Sequence, residues 1–540
     1  MNIVLGIDTG GTYTDGVLYD HQDRTLLKKA KFPTFGANLS QSILGCIDAL
    51  DTKSFPKISK VVLSTTLATN AIVEDKGRPT GLIVVGEPPK GEIPPCFYGR
   101  VQGRVNIKGV ETIPLNEDEI YDLVKQIPDD VEAIAVCGMM SVRNACQELR
   151  VKEIIQSQRH LPVICSHELS TQLGFHARTV TAILNASLIP IIEDFVHSVE
   201  ISLKQLDINA PIFMVKGDGA LANLDFIRQK PIESILSGPA SSMIGALGLA
   251  NVENGVVVDM GGTTLDFALV ENSTLTLSPI GAKVGDWQTH IDSANIRTFG
   301  LGGDTQILVE NGHPKLTRYR ILPACRGGQD GLTPTDLLHL IGEMQVWDTD
   351  LARATLHNLV GEDQGTNFIN ESVQLILDTM YQSVLEPFMQ HKIESNGDTH
   401  LPPIIAIGAP AQAWFLKLQK RYPGEIVIPK HFEVANGVGA AMASVEERVS
   451  ALVRPDEAND GFVVHIEGDW KSFSDKEEAV DYGYKIAKQK SIDRAQTQGF
   501  DQGLTTQVFV DELVENLGWK KRYIETQIKA VTKLSRLKLK

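Results

Sequence analysis

The sequence predicts an α/β protein of two related lobes with a small C-terminal α/β appendage. The first observation behind this is a repeat: Asp8-Thr9-Gly10-Gly11-Thr12-Tyr13-Thr14-Asp15 and Asp259-Met260-Gly261-Gly262-Thr263-Thr264-Leu265-Asp266 share the pattern Asp-x-Gly-Gly-Thr-x-x-Asp. The second is its setting, because each copy lies between two short apolar runs, Ile3 to Ile7 and Gly16 to Tyr19 in one case, Val256 to Val258 and Phe267 to Val270 in the other. Both therefore read as strand, tight turn, strand. The third is an alternation of strand and helix patterns along the chain, which predicts helices covering mixed sheets.

Taken in order, the first hairpin is followed by a helix from Ala37 to Leu50, a strand from Lys60 to Thr66 and a helix from Leu67 to Lys76 stopped near Gly77. Gly81 to Val85 and Ala133 to Val136 read as buried strands, with a Pro-rich connection (Pro88, Pro89, Pro94, Pro95) and a helix from Glu117 to Gln126 between them. Ala177 to Val199 is helical in spacing, with Pro190 expected to kink or divide it. Pro211 to Val215 is a strand, Ser241 to Ala250 a small-residue helix, and the second hairpin follows. Gly300-Leu301-Gly302-Gly303-Asp304 is a further Gly-rich turn, residues 335 to 395 carry helices, and Pro402 to Ala409 is a strand ending in a small-residue turn. Val434 to Ala441 opens a helix able to touch its neighbours closely. Expected domains are residues 1–180 and 181–447, one phosphate loop in each, and 448–540, a module with a linker at Asp456 to Asp460 and a helical tail.

Adjacent glycines let a turn bring N–H groups close to an anion, threonine hydroxyls donate to phosphate oxygens, and a carboxylate can hold a hydrated divalent cation. Two such loops facing each other would clamp a polyphosphate. At 540 residues the chain exceeds one core, and about 150 residues per domain gives two to four domains. A net charge of −16 argues against nucleic-acid and anionic-membrane partners. The basic cluster of Lys520, Lys521, Arg522, Lys529, Lys533, Arg536, Lys538 and Lys540 reads as a solvated helix end with a flexible tail. No apolar run of about 18 residues and no signal core is evident, so the expected location is the cytoplasm. Cys46, Cys96, Cys137, Cys146, Cys165 and Cys325 have neither zinc-knuckle nor disulfide spacing and read mostly as buried thiols.

The chain resembles the actin, sugar-kinase and heat-shock-chaperone superfamily, and more specifically the hydantoinase A/5-oxoprolinase family. The residues that carry this are Gly6 to Asp15, Ser64 to Ala71 with Gly77, Ser166 to Ser170 with Arg178, Thr179 and Asn185, Leu236 to Ala240, and Asp259 to Thr264. The resemblance implies a two-lobed actin-like fold, a duplicated ribonuclease H-like ATPase. It also implies ATP- and Mg²⁺-dependent opening of a cyclic amide such as a hydantoin or 5-oxoproline, by phosphorylation of its carbonyl oxygen. A separate subunit of hydantoinase B type and an oligomeric assembly are implied too. Asp8, Asp259, Thr12 and Thr263 are then catalytic, with Asp8 and Asp259 holding Mg²⁺ through water. Gly10, Gly11, Thr12, Thr14, Gly261, Gly262, Thr263, Thr264, Gly302, Gly303, Asp304, Gly408 and Ala409 form the nucleotide site. Thr65, Thr66, Asn70, His176 and Arg178 fall on the substrate side, although helix capping and buried hydrogen bonding compete as roles for the first three.

Three segments depart from the family pattern. Gly300 to Thr305 adds the Asp304 carboxylate near the expected phosphate, Ile407 to Ala411 alters the adenine-site run, and Lys216-Gly217-Asp218-Gly219 replaces Ser-Asn-Gly-Gly. His167, His176 and His290 lack paired ligand spacing and read as hydrogen-bonded structural histidines. The alternatives are a small-metabolite kinase on the same fold and a regulatory ATPase that reactivates a partner enzyme; the Ala435 to Ala441 run resembles a protein associated with glutamate mutase.

Overall fold

A computed structural model describes residues 2–35, 38–51, 53, 58–272, 274–386, 401–456, 461–467, 469–500, 503–517 and 520–534. Two of its sheets repeat one plan. In the first, the antiparallel strands Thr25–Pro33, Tyr13–Asp20 and Ile3–Thr9 are followed by Ile58–Thr65 and Ile212–Val215, both parallel to Ile3–Thr9, with Leu221–Asn223 at the edge. In the second, Thr274–Leu275, Leu265–Glu271 and Gly255–Met260 are antiparallel, and Ile404–Ile407 and Ile426–Val427 continue in parallel. Three antiparallel strands and two parallel ones in the same order, twice, is the duplicated ribonuclease H-like arrangement. The all-apolar burial of Ile3, Leu5, Ile7, Val256 and Val258 shows why both central strands read as continuous hydrophobic runs.

The helices Ser237–Ala250 and Ala435–Met442 pack against each other between the sheets. Their backbones meet through missing side chains: a Cβ on Gly245 would lie 1.8 Å from the Ala435 carbonyl oxygen, and one on Gly439 would lie 1.7 Å from that of Ser241. Gly6 of the first central strand meets the Gly437 carbonyl in the same way, at 2.4 Å. Any larger residue at these three points pushes the lobes apart.

A second, four-stranded parallel sheet of Val163–Cys165, Ala133–Gly138, Thr80–Val85 and Phe97–Val101 is inserted after Ile58–Thr65. Helix Phe175–Gln205 lies along it and closes the first lobe. It runs through Pro190 without the expected division, and a domain boundary at 180/181 would cut both this helix and the first sheet, which continues to Asn223. Burial outweighs the roughly 3 kcal/mol that an interior proline costs. By length and composition this helix could cross a bilayer, with a mean hydropathy of 1.5 over its most apolar window, but 72% of that window is buried in the protein.

The C-terminal module differs from the expected helical tail. Helix Lys476–Thr497 crosses an antiparallel sheet whose last strands, Leu504–Leu517 and Lys520–Leu534, form a long hairpin. Thr526, Ile528, Ala530 and Thr532 are buried while Gln527 and Lys529 point outward, a period of two that the density of lysines conceals. Positions 457–460 of the expected linker, and 387–395 of the expected helical run, lie outside the described residues.

Candidate active site

Both Gly-rich turns have one geometry. Asp8 pairs with Asp15 and Asp259 with Asp266 across their hairpins, and the turns close through Gly10 N–H to the Tyr13 carbonyl at 3.0 Å and Gly261 N–H to the Thr264 carbonyl at 2.9 Å. Gly11, Thr12, Gly262 and Thr263 are exposed at the tips, where their N–H and hydroxyl groups can meet a phosphate. Thr14 is turned away, its hydroxyl 3.0 Å from that of Thr34, and the Thr264 hydroxyl donates to Asp266 at 3.2 Å.

Behind the first turn, Asp8 accepts a hydrogen bond from the Ser64 hydroxyl at 2.5 Å and one from the Asn436 amide at 2.7 Å. The same Asn436 nitrogen donates to Asp15 at 2.7 Å, and Lys31 pairs with Asp15 at 2.8 Å. Burial, assisted by repulsion from Asp15, still pushes the Asp8 carboxyl up to about 6. Burial, followed by repulsion from Asp266 and Asp8, pushes Asp259 up to about 7, against a hydrogen bond from Ser242. Burial raises Asp266 as well, and its Oδ1 has no hydrogen-bond partner among the described residues. Carboxylates crowded from two lobes, one with an orphaned oxygen, make a hard oxygen donor set that fits a divalent cation of the Mg²⁺ type.

The turn 300–304 lies on the second hairpin: Gly303 N–H donates to the Gly261 carbonyl at 3.0 Å and Asp304 N–H to that of Gly262 at 2.6 Å. A Cβ on Gly302 would lie 2.6 Å from the Gly262 carbonyl, and one on Gly262 would meet the Asp304 carboxylate at 2.8 Å. Burial raises that carboxylate above its ordinary range. Gly408, at φ +96°, and Ala409 follow the strand beside Asp259; a Cβ on Gly408 would lie 2.2 Å from the Met260 carbonyl. All the residues expected at the second phosphate loop are thus brought together.

On the first lobe the Thr65 hydroxyl donates to the Thr9 carbonyl at 3.1 Å and caps Leu67, as the capping role requires. Thr66 and Asn70 face the cleft: a Cβ on Gly11 would lie 3.6 Å from the Asn70 amide, and one on Gly238 would lie 3.1 Å from the Thr66 methyl and 3.7 Å from Asp8. His176 and Arg178 are elsewhere. His176 is held by the Glu92 carbonyl at 2.7 Å, and buried Arg178 donates to the carbonyls of Gly138, Met139 and Gln172 and to Ser166. Arg178 therefore ties down the end of the inserted sheet. His290 meets the Ser170 hydroxyl at 3.2 Å. Glu148, Cys165 and His167 cluster within 4.8 Å, but the Glu148 carboxylate already accepts from the Gly138 and His167 N–H groups, Ser166 and the His167 ring.

Ser64, Ser242, Lys31 and Asn436 carry no site role in the sequence reading. Ser64 had a signal, because it opens the family-like segment Ser64 to Ala71; its pairing with Asp8 and the approach of Asn436, more than 400 residues away, come only from the fold.

The fold is a two-lobed one built on duplicated ribonuclease H-like sheets. The chain belongs to the hydantoinase/oxoprolinase family: that family's model matches residues 178–449, and the model of its N-terminal region matches 4–91 and 98–159. Among relatives, caprolactamase subunit alpha of Pseudomonas jessenii is 28% identical over 335 residues, 55% of this chain and 48% of that one. The acetophenone carboxylase gamma subunit of Aromatoleum aromaticum is 25% identical over 62% of this chain and 51% of its own length. The chain spans about half the length of these relatives. In fold it superposes on the P. jessenii caprolactamase with a TM-score of 0.75 at 19% identity, covering 99% of this chain and 88% of that one. Nucleotide-free acetone carboxylase gives 0.74 at 18%, covering 100% and 89%.

Proposed function

We propose that this chain uses ATP to activate a cyclic amide for hydrolysis. The observation that carries this is the pair of matching Gly-Gly-Thr turns, with the Asp8 charge near enough to Asp259 to add to the rise of that carboxyl. Asp8 and Asp259 would hold a Mg²⁺ through water, and the ion would supply positive charge that neutralises the transferring phosphoryl group. The exposed turn N–H groups and the Thr12 and Thr263 hydroxyls orient the γ-phosphoryl group, and Gly408-Ala409 borders the nucleoside side. The amide carbonyl oxygen attacks γ-phosphorus as the bond to ADP breaks. Water then adds to the activated carbon, the ring C–N bond cleaves with its nitrogen taking a proton, and a second water hydrolyses the resulting acyl phosphate, releasing phosphate and the open-chain amino acid. Thr66 and Asn70 are the polar groups placed to orient the ring. Relatives named as alpha, beta and gamma subunits support a partner subunit, which we assign to the hydantoinase B type.

The test is ATP hydrolysis with Mg²⁺ across hydantoins, 5-oxoproline and lactams of increasing ring size, with amino-acid release followed in parallel. One ring compound should stimulate both. Phosphate release that no cyclic amide changes, with or without a co-expressed partner subunit, would sink the proposal. Asp304, half-buried beside Gly262, is the observation that favours a metabolite kinase instead, because a kinase needs a carboxylate base; a stable phosphate ester as product would establish that reading.

A further inference from the structure

The inserted parallel sheet has a site of its own. Its strand order reverses beside Thr80–Val85: the chain leaves that strand for Phe97–Val101 on one side, while Ala133–Gly138 and Val163–Cys165 extend the other. A crevice opens at such a switch point, at the carboxyl ends of the strands, and this is where open α/β sheets bind ligands. Here a crevice of about 740 Å³ sits there, floored by Val85, Val101 and Gly138 at the three strand ends. It is distinct from the phosphate turns and has the volume of a small-molecule pocket.

Its lining sets the ligand's chemistry. Arg104 is exposed and forms no ion pair among the described residues, and the Met140 N–H lies in the turn after the strand Ala133–Gly138, beyond its ladder. A cation beside a turn N–H suits a carboxylate. Elsewhere on the lining, Glu87 shares Arg100 at 3.1 Å and keeps an oxygen open to a ligand ammonium. Glu119 and Glu148 also line the crevice, although both already accept several hydrogen bonds, so a polyphosphate would meet three acidic groups. Val85, Val101, Ile113, Met139 and Met140 add an aliphatic surface to the same lining.

We propose that this crevice binds a zwitterionic aliphatic amino acid, its carboxylate toward Arg104 and the Met140 N–H group and its ammonium toward Glu87. An aliphatic amino acid is also what opening a lactam releases, so the crevice would sense or hold product. That link rests on the proposed reaction; the binding itself does not.

The experiment is calorimetric titration of the full chain with 5-aminopentanoate, 6-aminohexanoate and leucine, and with hexanoate, hexylamine and inorganic phosphate as comparators. At least one zwitterion should bind, and the comparators lacking either charge should bind about tenfold more weakly or not at all. Arg104→Ala should weaken binding about tenfold or more, and Met139→Trp, at the exposed rim, should block it, while both variants bind Mg-ATP as the unmodified chain does. No zwitterion binding at millimolar concentration, equal binding of phosphate or hexanoate, or binding unchanged in both variants would overturn the proposal. Failure of the lactam-stimulated ATPase assay would leave these titrations readable, so the two ideas fail separately.

Discussion

The two hairpins share a backbone and differ in what surrounds their leading carboxylates. Asp8 has Ser64 beside it on the parallel strand, whereas Asp259 has Ile407 in the matching register. Asp15 is met by Lys31 and the Asn436 amide; its counterpart Asp266 has threonine hydroxyls and no ion pair among the described residues. The first turn is therefore met by a lysine and an amide that the second lacks, while burial is the main force that raises both leading carboxyls, Asp8 to about 6 and Asp259 to about 7. Duplication kept the strand order and the turn, because the backbone path depends on local sequence. The side-chain partners diverged, and they decide which copy takes up a cation more strongly.

This asymmetry can be broken by mutation. Asp259→Asn should cost the most, on the order of 10²-fold or more in Mg²⁺-dependent ATP turnover, with Asp8→Asn costing several-fold less. Steady-state rates at saturating Mg-ATP decide it; equal losses would mean that the two carboxylates are equivalent.

Asn436→Ala should lower turnover by about tenfold, because it leaves Asp8 and Asp15 facing each other without the shared amide, a loss of about 1–3 kcal/mol. A rate unaffected by this change, measured alongside an unchanged melting temperature, would remove Asn436 from the site.

The smallest effect is in stability against pH. A carboxyl whose folded-state pKa is raised stabilises the protein fully below its unfolded value, 3.8, and that stability is lost as pH rises toward the folded value. Without Mg²⁺, the melting temperature of the unmodified chain should therefore fall relative to that of Asp259→Asn between about pH 4 and 7, and Mg²⁺ should reverse this above pH 7. Parallel melting curves for the two proteins across that range would contradict the raised pKa.

Much of the first-order architecture was open to reading in the chain. The repeat at 8–15 and 259–266, the apolar runs beside it and helix Glu117–Gln126 are local patterns, fixed by residues in contact with their near neighbours. The readings that failed were long-range. Ile212–Val215 looks like the start of a second lobe until it pairs with Ile58–Thr65, and Lys520–Leu534 looks like a solvated helix until Thr526 and Ile528 are seen buried against helix Lys476–Thr497. Arg178 sits in a family-like segment, but its guanidinium is spent on backbone carbonyls.

By itself the sequence determined the two phosphate turns, the α/β class and the family, because glycine spacing and hydrophobic period act within a few residues. Only the tertiary structure decided that Asn436 bridges Asp8 and Asp15, that the turn 300–304 rests on the second hairpin and not the first, and that a crevice opens in the inserted sheet. Those contacts join residues from 42 to 428 positions apart or depend on strand order, and neither is written in any local pattern.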